Sequence, residues 1–320
     1  MKKILILGGT QFVGRNLVER LDELGQYEIT LFNRQQTGSH LFSHLKKIKG
    51  DRETSDINQL KNKTWDAVID LSAYYPNSLQ NLLEILKGNI SRYIFISTIS
   101  VYNLKNEISG SIKEDFETLS CNSSQSNDTN LASYGNRKAE CERVLRNATY
   151  LDKIILRPSI IYGKYDPTDR FYYWLYRAKN QNPFILPNNG KDKITLTYIN
   201  ELVDIIIQSI EIKTHSTIYN VTTHEPFTLK EMVYSMDKNA RFVEIDSKLL
   251  FDQNVLPGRD IPLWFDTDLE IDNGQLFKDF EPKFAQFDQS ILEMMAFYES
   301  LNWPIPKTGL TIEREHEILK

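Results

Sequence analysis

Tyr134 and Lys138 stand four residues apart in the stretch YGNRK. On a helix such a pair shares one face. A phenol with a pKa of about 10 is a poor proton-transfer group at neutral pH, and an adjacent ammonium lowers that value by favouring the phenolate. The pair could therefore exchange a proton with a carbinol or ketone while a hydride moves. The chain holds 16 tyrosines and 38 lysines plus arginines in 320 residues. Chance alone supplies up to about two such pairs, so the spacing gains meaning only from its surroundings. Those surroundings include Thr98, in STISVYN at the end of the apolar run RYIFI. A hydroxyl at the C-terminal end of a parallel strand faces the crevice where open α/β sheets bind ligands. Thr98 could hold the reacting oxygen beside Tyr134, or serve only as a strand-end hydroxyl bonded to backbone.

A second constellation opens the chain. KILIL (residues 3–7) runs into Gly8, Gly9, Thr10, Gln11, Phe12, Val13 and Gly14, and then into a helical pattern. A glycine-rich turn between strand and helix lets backbone N–H groups approach a pyrophosphate at the helix N-terminus. Gln11 stands where a middle glycine is common, so the approach there is looser or made by the Gln side chain. An NAD site would carry a carboxylate about 20 positions later, on the ribose 2′-hydroxyl. Here those positions are Asn33 and Arg34, which leave nothing to repel a 2′-phosphate. A guanidinium pairs with phosphate through a planar fork, so NADP(H) is expected ahead of NAD(H). Asp51, in Gly50-Asp51-Arg52, reads either as a contact to the adenine edge or as a turn residue. Arg52, and Leu71, Ser72 and Ala73 after the next strand, complete the expected cofactor contacts.

The elements that position these residues show in the periodicity. Residues 3–7, 27–32, 66–72, 92–97 and 152–157 read as buried strands. Residues 13–24, 78–87 and 134–147 carry apolar side chains at helical spacing. This alternation predicts βαβ units, a parallel sheet and right-handed crossovers that place helices on both faces. The fold class is therefore α/β, a Rossmann-type doubly wound sheet with a smaller mixed C-terminal domain. We expect a dinucleotide-binding domain over 1–160, with some later strands returning to it, and a substrate domain over 161–320. Pro167, Pro183, Pro187, Pro226, Pro257 and Pro262 break the second half into short pieces, the polar stretch 104–130 suits a long loop, and 309–320 reads as a charged helix.

Composition narrows the class. Apolar residues make up 41% and charged residues 25%, which fits a globular protein rather than a disordered or fibrous one. The net charge of −5 lacks the basic footprint of a duplex nucleic-acid binder. Cys121 and Cys141 are too few for a disulfide framework or a four-ligand zinc site, and a reduced, cytoplasmic setting fits them. His40 and His44 lack a third ligand and read as surface residues, so no metal is expected. No run of about 18 apolar residues occurs, and the short apolar stretch at the N-terminus stops at Gly8-Gly9.

Taken in order, GGTQFVG, GD at 50–51, STISVYN, YGNRK, LRPSIIYG (156–163), TYINELVD (197–204) and IYNVT (218–222) resemble the extended short-chain dehydrogenase/reductases of the NAD-dependent epimerase/dehydratase type. GGTQFVG with LFNR also resembles an atypical branch with GGTxFxG and FNR signatures, which includes chloroplast stem-loop RNA-binding proteins. The resemblance implies catalytic roles for Thr98, Tyr134 and Lys138, with Lys138 also reaching the nicotinamide ribose, and contacts to the nicotinamide amide near Pro158 and Ile161. It implies a homodimer built from the 78–87 helix and the Tyr134 helix. Dehydratases of this family carry an Asp-Glu pair directly after the threonine; here Ile99 and Ser100 stand there and can do neither proton transfer. Epimerisation or carbonyl reduction of a sugar-like substrate remains. Arg259, in PGRD, resembles the family's arginine for a sugar-nucleotide diphosphate. Arg170 sits in a polar turn before an aromatic run and could bind an anionic group. The rival expectation is a dinucleotide-binding protein that acts on RNA or in regulation without turnover.

Overall fold

The computed structural model describes residues 1–104, 110–180 and 182–320. The strands in chain order are β1 (Lys2–Leu7), β2 (Tyr27–Asn33), β3 (Lys46–Lys49), β4 (Trp65–Asp70), β5 (Ile90–Ile96), β6 (Asp152–Pro158), β7 (Ile160–Tyr162), β8 (Phe184–Pro187), β9 (Lys193–Ile194), β10 (Leu196–Tyr198), β11 (Ile218–Val221), β12 (Phe227–Thr228) and β13 (Phe242–Ile245). The α-helices are α1 (Phe12–Leu24), α2 (Pro76–Leu86), α3 (Tyr134–Asn147), α4 (Arg170–Lys179), α5 (Ile199–Gln208), α6 (Leu229–Met236), α7 (Ser247–Asp252), α8 (Leu276–Asp279), α9 (Phe287–Ser300) and α10 (Ile312–Ile318). They divide into two compact units. The first comprises Met1–Ser159, Ile199–Val221 and Asp272–Pro282; the second comprises Ile160–Tyr198, Thr222–Ile271 and Lys283–Lys320.

The first unit is a seven-stranded sheet in the order β11-β6-β5-β4-β1-β2-β3. Every neighbouring pair is parallel, with Ile4 of β1 opposite Ile29 on one side and Ala67 on the other. This is the Rossmann-like α/β fold. Ile4, Leu5, Ile6 and Leu7 are all buried, as a strand covered by helices on both faces requires. The strand order reverses between β1 and β4, and α/β sheets bind ligands outside the carboxyl ends of such a switch point. Leu79, Leu82, Leu83 and Leu86 of α2 and Cys141 and Leu145 of α3 pack into one core with Leu5, Val68, Tyr93, Phe95 and Ile155. β3 has no counterpart in the periodicity, because the pattern KKIK holds a single apolar residue.

The second unit is built from short pieces. β7 pairs with β10, β8 with β13, and β9 with β12. An aromatic cluster holds it: the Tyr162 ring stacks on Phe171 at 4.2 Å, and Tyr172 stacks on Tyr298 at 3.5 Å. The aromatic run 171–174 is thus core, as its apolar character predicts. Glu315 of α10 accepts hydrogen bonds from Arg177 of α4 and from the Ile185 N–H of β8, which ties the C-terminal helix down. The polar stretch 104–130 is irregular where described, with one short 3₁₀ turn at Gln125–Asn127; residues 105–109 fall outside the described residues. Among the described residues no helix is long and apolar enough to cross a membrane.

Candidate active site

The glycine turn after β1 has the geometry of a phosphate cradle. Gly8 and Gly9 sit at φ 114° and 97°, a region that glycine alone enters freely. A Cβ on Gly14 would lie 2.8 Å from both the N and the Cα of Gly9. The turn and the first coil of α1 are therefore in direct backbone contact. Gln11 forms the N-cap of α1 with extended backbone and makes no capping bond with its side chain. The Asn33 side chain braces the turn, donating to the Gly8 carbonyl at 2.7 Å, while its Oδ1 accepts from the Gln35 N–H. Thr10, Phe12 and Val13 lie on the same turn.

The adenosine side departs from expectation. Arg34 is exposed, with the Asp51 carboxylate 3.9 Å away. A carboxylate at that distance weakens the case for a 2′-phosphate, and the expected preference for NADP(H) finds no support. Arg52, expected beside Asp51 at the cofactor, turns inward instead. Its guanidinium donates to Asp70 Oδ1 at 2.7 Å, to Ser78 Oγ at 3.1 Å and to Ser72 Oγ at 3.2 Å. Asp70 closes β4 with no exposed surface. Burial would push its carboxyl up, but Arg52, the Tyr93 hydroxyl and the Ser72 N–H hold it below the usual carboxylate range. Leu71 lines the cradle, 3.6 Å from where a Gly8 Cβ would lie.

The proposed reactive residues gather where β5 ends. Thr98 caps a short 3₁₀ turn, Ile99–Val101; its Oγ1 accepts from the Ser100 N–H and donates to Ser100 Oγ, both at 3.1 Å. A Cβ on Gly135 would lie 2.1 Å from the Ser100 carbonyl oxygen. Only glycine lets the first turn of α3 approach so closely, and that approach seats Tyr134 beside the Thr98–Ser100 turn. The signal in the sequence is the glycine itself, since a glycine within a helix marks close backbone approach. Lys138, one turn on, is buried; its ammonium donates to the Ile96 carbonyl at 2.7 Å and to the Ala73 carbonyl at 3.1 Å. Burial brings its pKa down to about 8. The Tyr74 ring lies 6.3 Å from that of Tyr134 and 5.8 Å from the Lys138 ammonium.

Other expected residues have different surroundings. Pro158 ends β6 in the first unit, and Ile161 lies in β7 of the second. Arg170 opens α4, with its Nε on Thr168 Oγ1 at 3.1 Å. Arg259 is exposed and holds Asp260 at 2.7 Å and the Asn254 carbonyl at 3.0 Å. Each of these arginines is held within its own segment. His44 pairs with Asp22 at 2.8 Å on the surface, and Cys141 is buried. Among the described residues no cluster of three potential metal ligands occurs.

A doubly wound parallel sheet with a glycine turn between β1 and α1 defines a Rossmann-like α/β protein. The model of the "NAD dependent epimerase/dehydratase family" matches residues 4–222, and the chain belongs to that family. The chloroplast stem-loop binding protein of 41 kDa b from Arabidopsis thaliana is 26% identical over 261 residues, 76% of this chain and 64% of that protein. A UDP-glucose 4-epimerase from Streptococcus mutans is 28% identical over 127 residues, 33% of this chain and 38% of that enzyme. The chain thus spans less than two thirds of either curated relative. Among solved structures, UDP-glucuronic acid 4-epimerase from Bacillus cereus, in complex with NAD, superposes with a TM-score of 0.70 at 18% identity, covering 94% of this chain and 100% of that one. UDP-N-acetylglucosamine 4-epimerase from Methanobrevibacter ruminantium gives 0.72 at 20% identity, covering 94% and 99%. A dTDP-glucose 4,6-dehydratase from Bacillus anthracis, in complex with NAD, gives 0.70 at 18% identity, covering 95% and 98%. At these identities the likeness is one of fold.

Proposed function

We propose that the chain is a nicotinamide-dinucleotide-dependent oxidoreductase of the epimerase or reductase type, acting at a secondary carbinol or ketone of a sugar nucleotide. The observation that supports this reading is the close approach of the Thr98–Ser100 turn to Gly135, the residue after Tyr134, with the Lys138 ammonium one turn further along the same helix. The open cradle formed by Gly8, Gly9 and Gly14 suits a pyrophosphate, so Thr10 to Val13 would hold the dinucleotide at the helix N-terminus. When bound, the nicotinamide supplies a hydride acceptor or donor. Thr98 would orient the substrate oxygen. Tyr134 would take its proton, or return it, at the phenolic oxygen. Lys138, fixed on two carbonyls, would favour the phenolate by its charge.

Ile99 and Ser100 offer no carboxylate for removing a leaving hydroxyl, so dehydration ranks below epimerisation and reduction even though dehydratases share the fold. NAD(H) ranks ahead of NADP(H), since Asp51 faces Arg34 and solved relatives are described with NAD. Sugar nucleotides enter as the substrate class because the solved relatives are named for them. A cytoplasmic homodimer accords with this family reading.

The test is mass spectrometry of the native protein for a co-purified dinucleotide and nucleotide sugar, followed by turnover of Tyr134→Phe on the substrate found. Turnover should fall by about a thousandfold or more with the fold intact. An unchanged rate removes Tyr134 as the acid/base. The rival reading is binding of RNA without turnover, and the Arabidopsis relative is named for stem-loop binding; such an activity would survive Tyr134→Phe.

A further inference from the structure

We infer that Ser97 and Glu142, braced by Arg157, form a clasp that sets the register of the catalytic helix on the end of β5; this rests on the functional reading above. Three consecutive residues of the strand end, Ile96, Ser97 and Thr98, all meet α3. Thr98 lies in the turn packed on the Tyr134–Gly135 backbone, the Ile96 carbonyl holds the Lys138 ammonium at 2.7 Å, and between them Ser97 Oγ donates to Glu142 Oε1 at 2.5 Å. Tyr134, Lys138 and Glu142 recur every four residues and share one helix face. All three members of the clasp are buried, with Ser97 4%, Glu142 2% and Arg157 2% exposed.

Arg157 makes the clasp rigid. Its Nε reaches both Glu142 oxygens at 3.0 and 3.2 Å, and a terminal nitrogen adds a third bond to Oε2 at 2.6 Å. The other terminal nitrogen donates to the Tyr102 hydroxyl at 2.9 Å and the Glu114 carbonyl at 2.8 Å. The Tyr102 hydroxyl donates on to Asn220 Oδ1 of β11. Forked guanidinium–carboxylate pairing fixes orientation as well as distance. Glu142 therefore cannot slide or rotate without breaking its bonds to Ser97, just past the end of β5, and to Arg157 of β6. The proton-transfer residues two turns away inherit that setting. Ser97 and Glu142 touch neither substrate nor cofactor here and act as positioning residues.

The readout is the Tyr134 phenolate, followed at 295 nm as the difference from Tyr134→Phe, in protein saturated with NAD⁺. Ser97→Ala should lower the phenolate fraction at pH 7.5 about five- to tenfold, because a displaced helix separates phenol and ammonium. NAD⁺ affinity should change less than about twofold, since the cradle is on β1 and α1. Ser97→Thr keeps the hydroxyl and should restore the phenolate. The titratable neighbours keep their identity in both variants: Tyr74 and Lys138 beside Tyr134, and Cys141, Asp70, Glu142 and Arg52 around Lys138, of which only Glu142 loses a bond in Ser97→Ala. A lower melting temperature with an unaltered phenolate titration would show mere packing and overturn the clasp, as would failure of Ser97→Thr to rescue. Wild-type protein that neither binds NAD⁺ nor shows a low-pH phenolate overturns the functional reading itself, and the clasp with it.

Discussion

Two carboxylates, one in each unit, meet the same three kinds of partner and respond in opposite ways. Asp70 and Glu315 are both buried, and each accepts from an arginine, a tyrosine hydroxyl and a backbone N–H. Burial pushes both carboxyls up. Asp70 nevertheless ends below its ordinary value, and Glu315 ends above it. The geometry accounts for the difference. Asp70 has short bonds throughout, 2.7 Å to Arg52, 2.5 Å to Tyr93 and 2.9 Å to the Ser72 N–H. Glu315 has Arg177 close by but long bonds to Tyr173 at 3.3 Å and to the Ile185 N–H at 3.2 Å. One close cation does not offset desolvation; a complete short-range shell does. The complete shell occurs at the C-terminal strand edge, within electrostatic reach of Lys138. The looser one ties down α10.

Asp70→Asn provides the strongest test of that contrast. It leaves the buried Arg52 guanidinium with only the more distant, part-exposed Glu53 carboxylate, 3.8 Å from its Nε, and we expect a loss of about 4 kcal/mol at pH 7, read from the urea midpoint. Because the folded carboxyl titrates below the unfolded one, its contribution is fully present above about pH 4 and disappears as pH falls through the folded value. Wild type and Asp70→Asn should therefore converge in acid. Glu315→Gln should cost less, about 1 kcal/mol, since the ionised form it replaces is already penalised. Its pH trend runs the other way: wild type gains stability on acidification through the raised folded value, and the gap to Glu315→Gln widens. Parallel pH trends in the two variants would break the contrast.

What could be read in advance was local. The strand–glycine–helix opening lies within a few residues, and a phenol and ammonium four apart need only one helix. Strands β1, β2, β4, β5 and β6 showed as continuous apolar runs because helices cover both sheet faces. Partnerships between distant residues stayed hidden. Arg52 and Asp70 are 18 residues apart, and Ser97 and Glu142 are 45. A signal was present in each case: Asp70 is a carboxylate inside an otherwise apolar strand, and Glu142 continues the stripe begun by Tyr134 and Lys138. Charges at core positions imply buried partners, but spacing alone does not name them. The second unit was illegible for another reason. Its strands run two to four residues, too short to show a period.

The smallest expected effect separates usefulness from stability at the strand edge itself. Lys138 is a buried ammonium held by two carbonyls, and burial brings its pKa from the usual 10.5 to about 8. Below that value the folded state bears the whole penalty of a desolvated charge. Above it the folded chain releases the proton while the unfolded chain keeps it, so the unfolded state binds more protons and stability rises with pH. Lys138→Met removes the group and with it this slope. Whatever the offset between the two at pH 7, wild type should gain about 1 kcal/mol on the variant between pH 7 and pH 9. Denaturation midpoints at both pH values check this. A flat difference would mean that the ammonium is solvated in solution and that its charge costs the fold nothing. A rising one would mark Lys138 as a cation kept at the expense of stability, which packing alone does not explain.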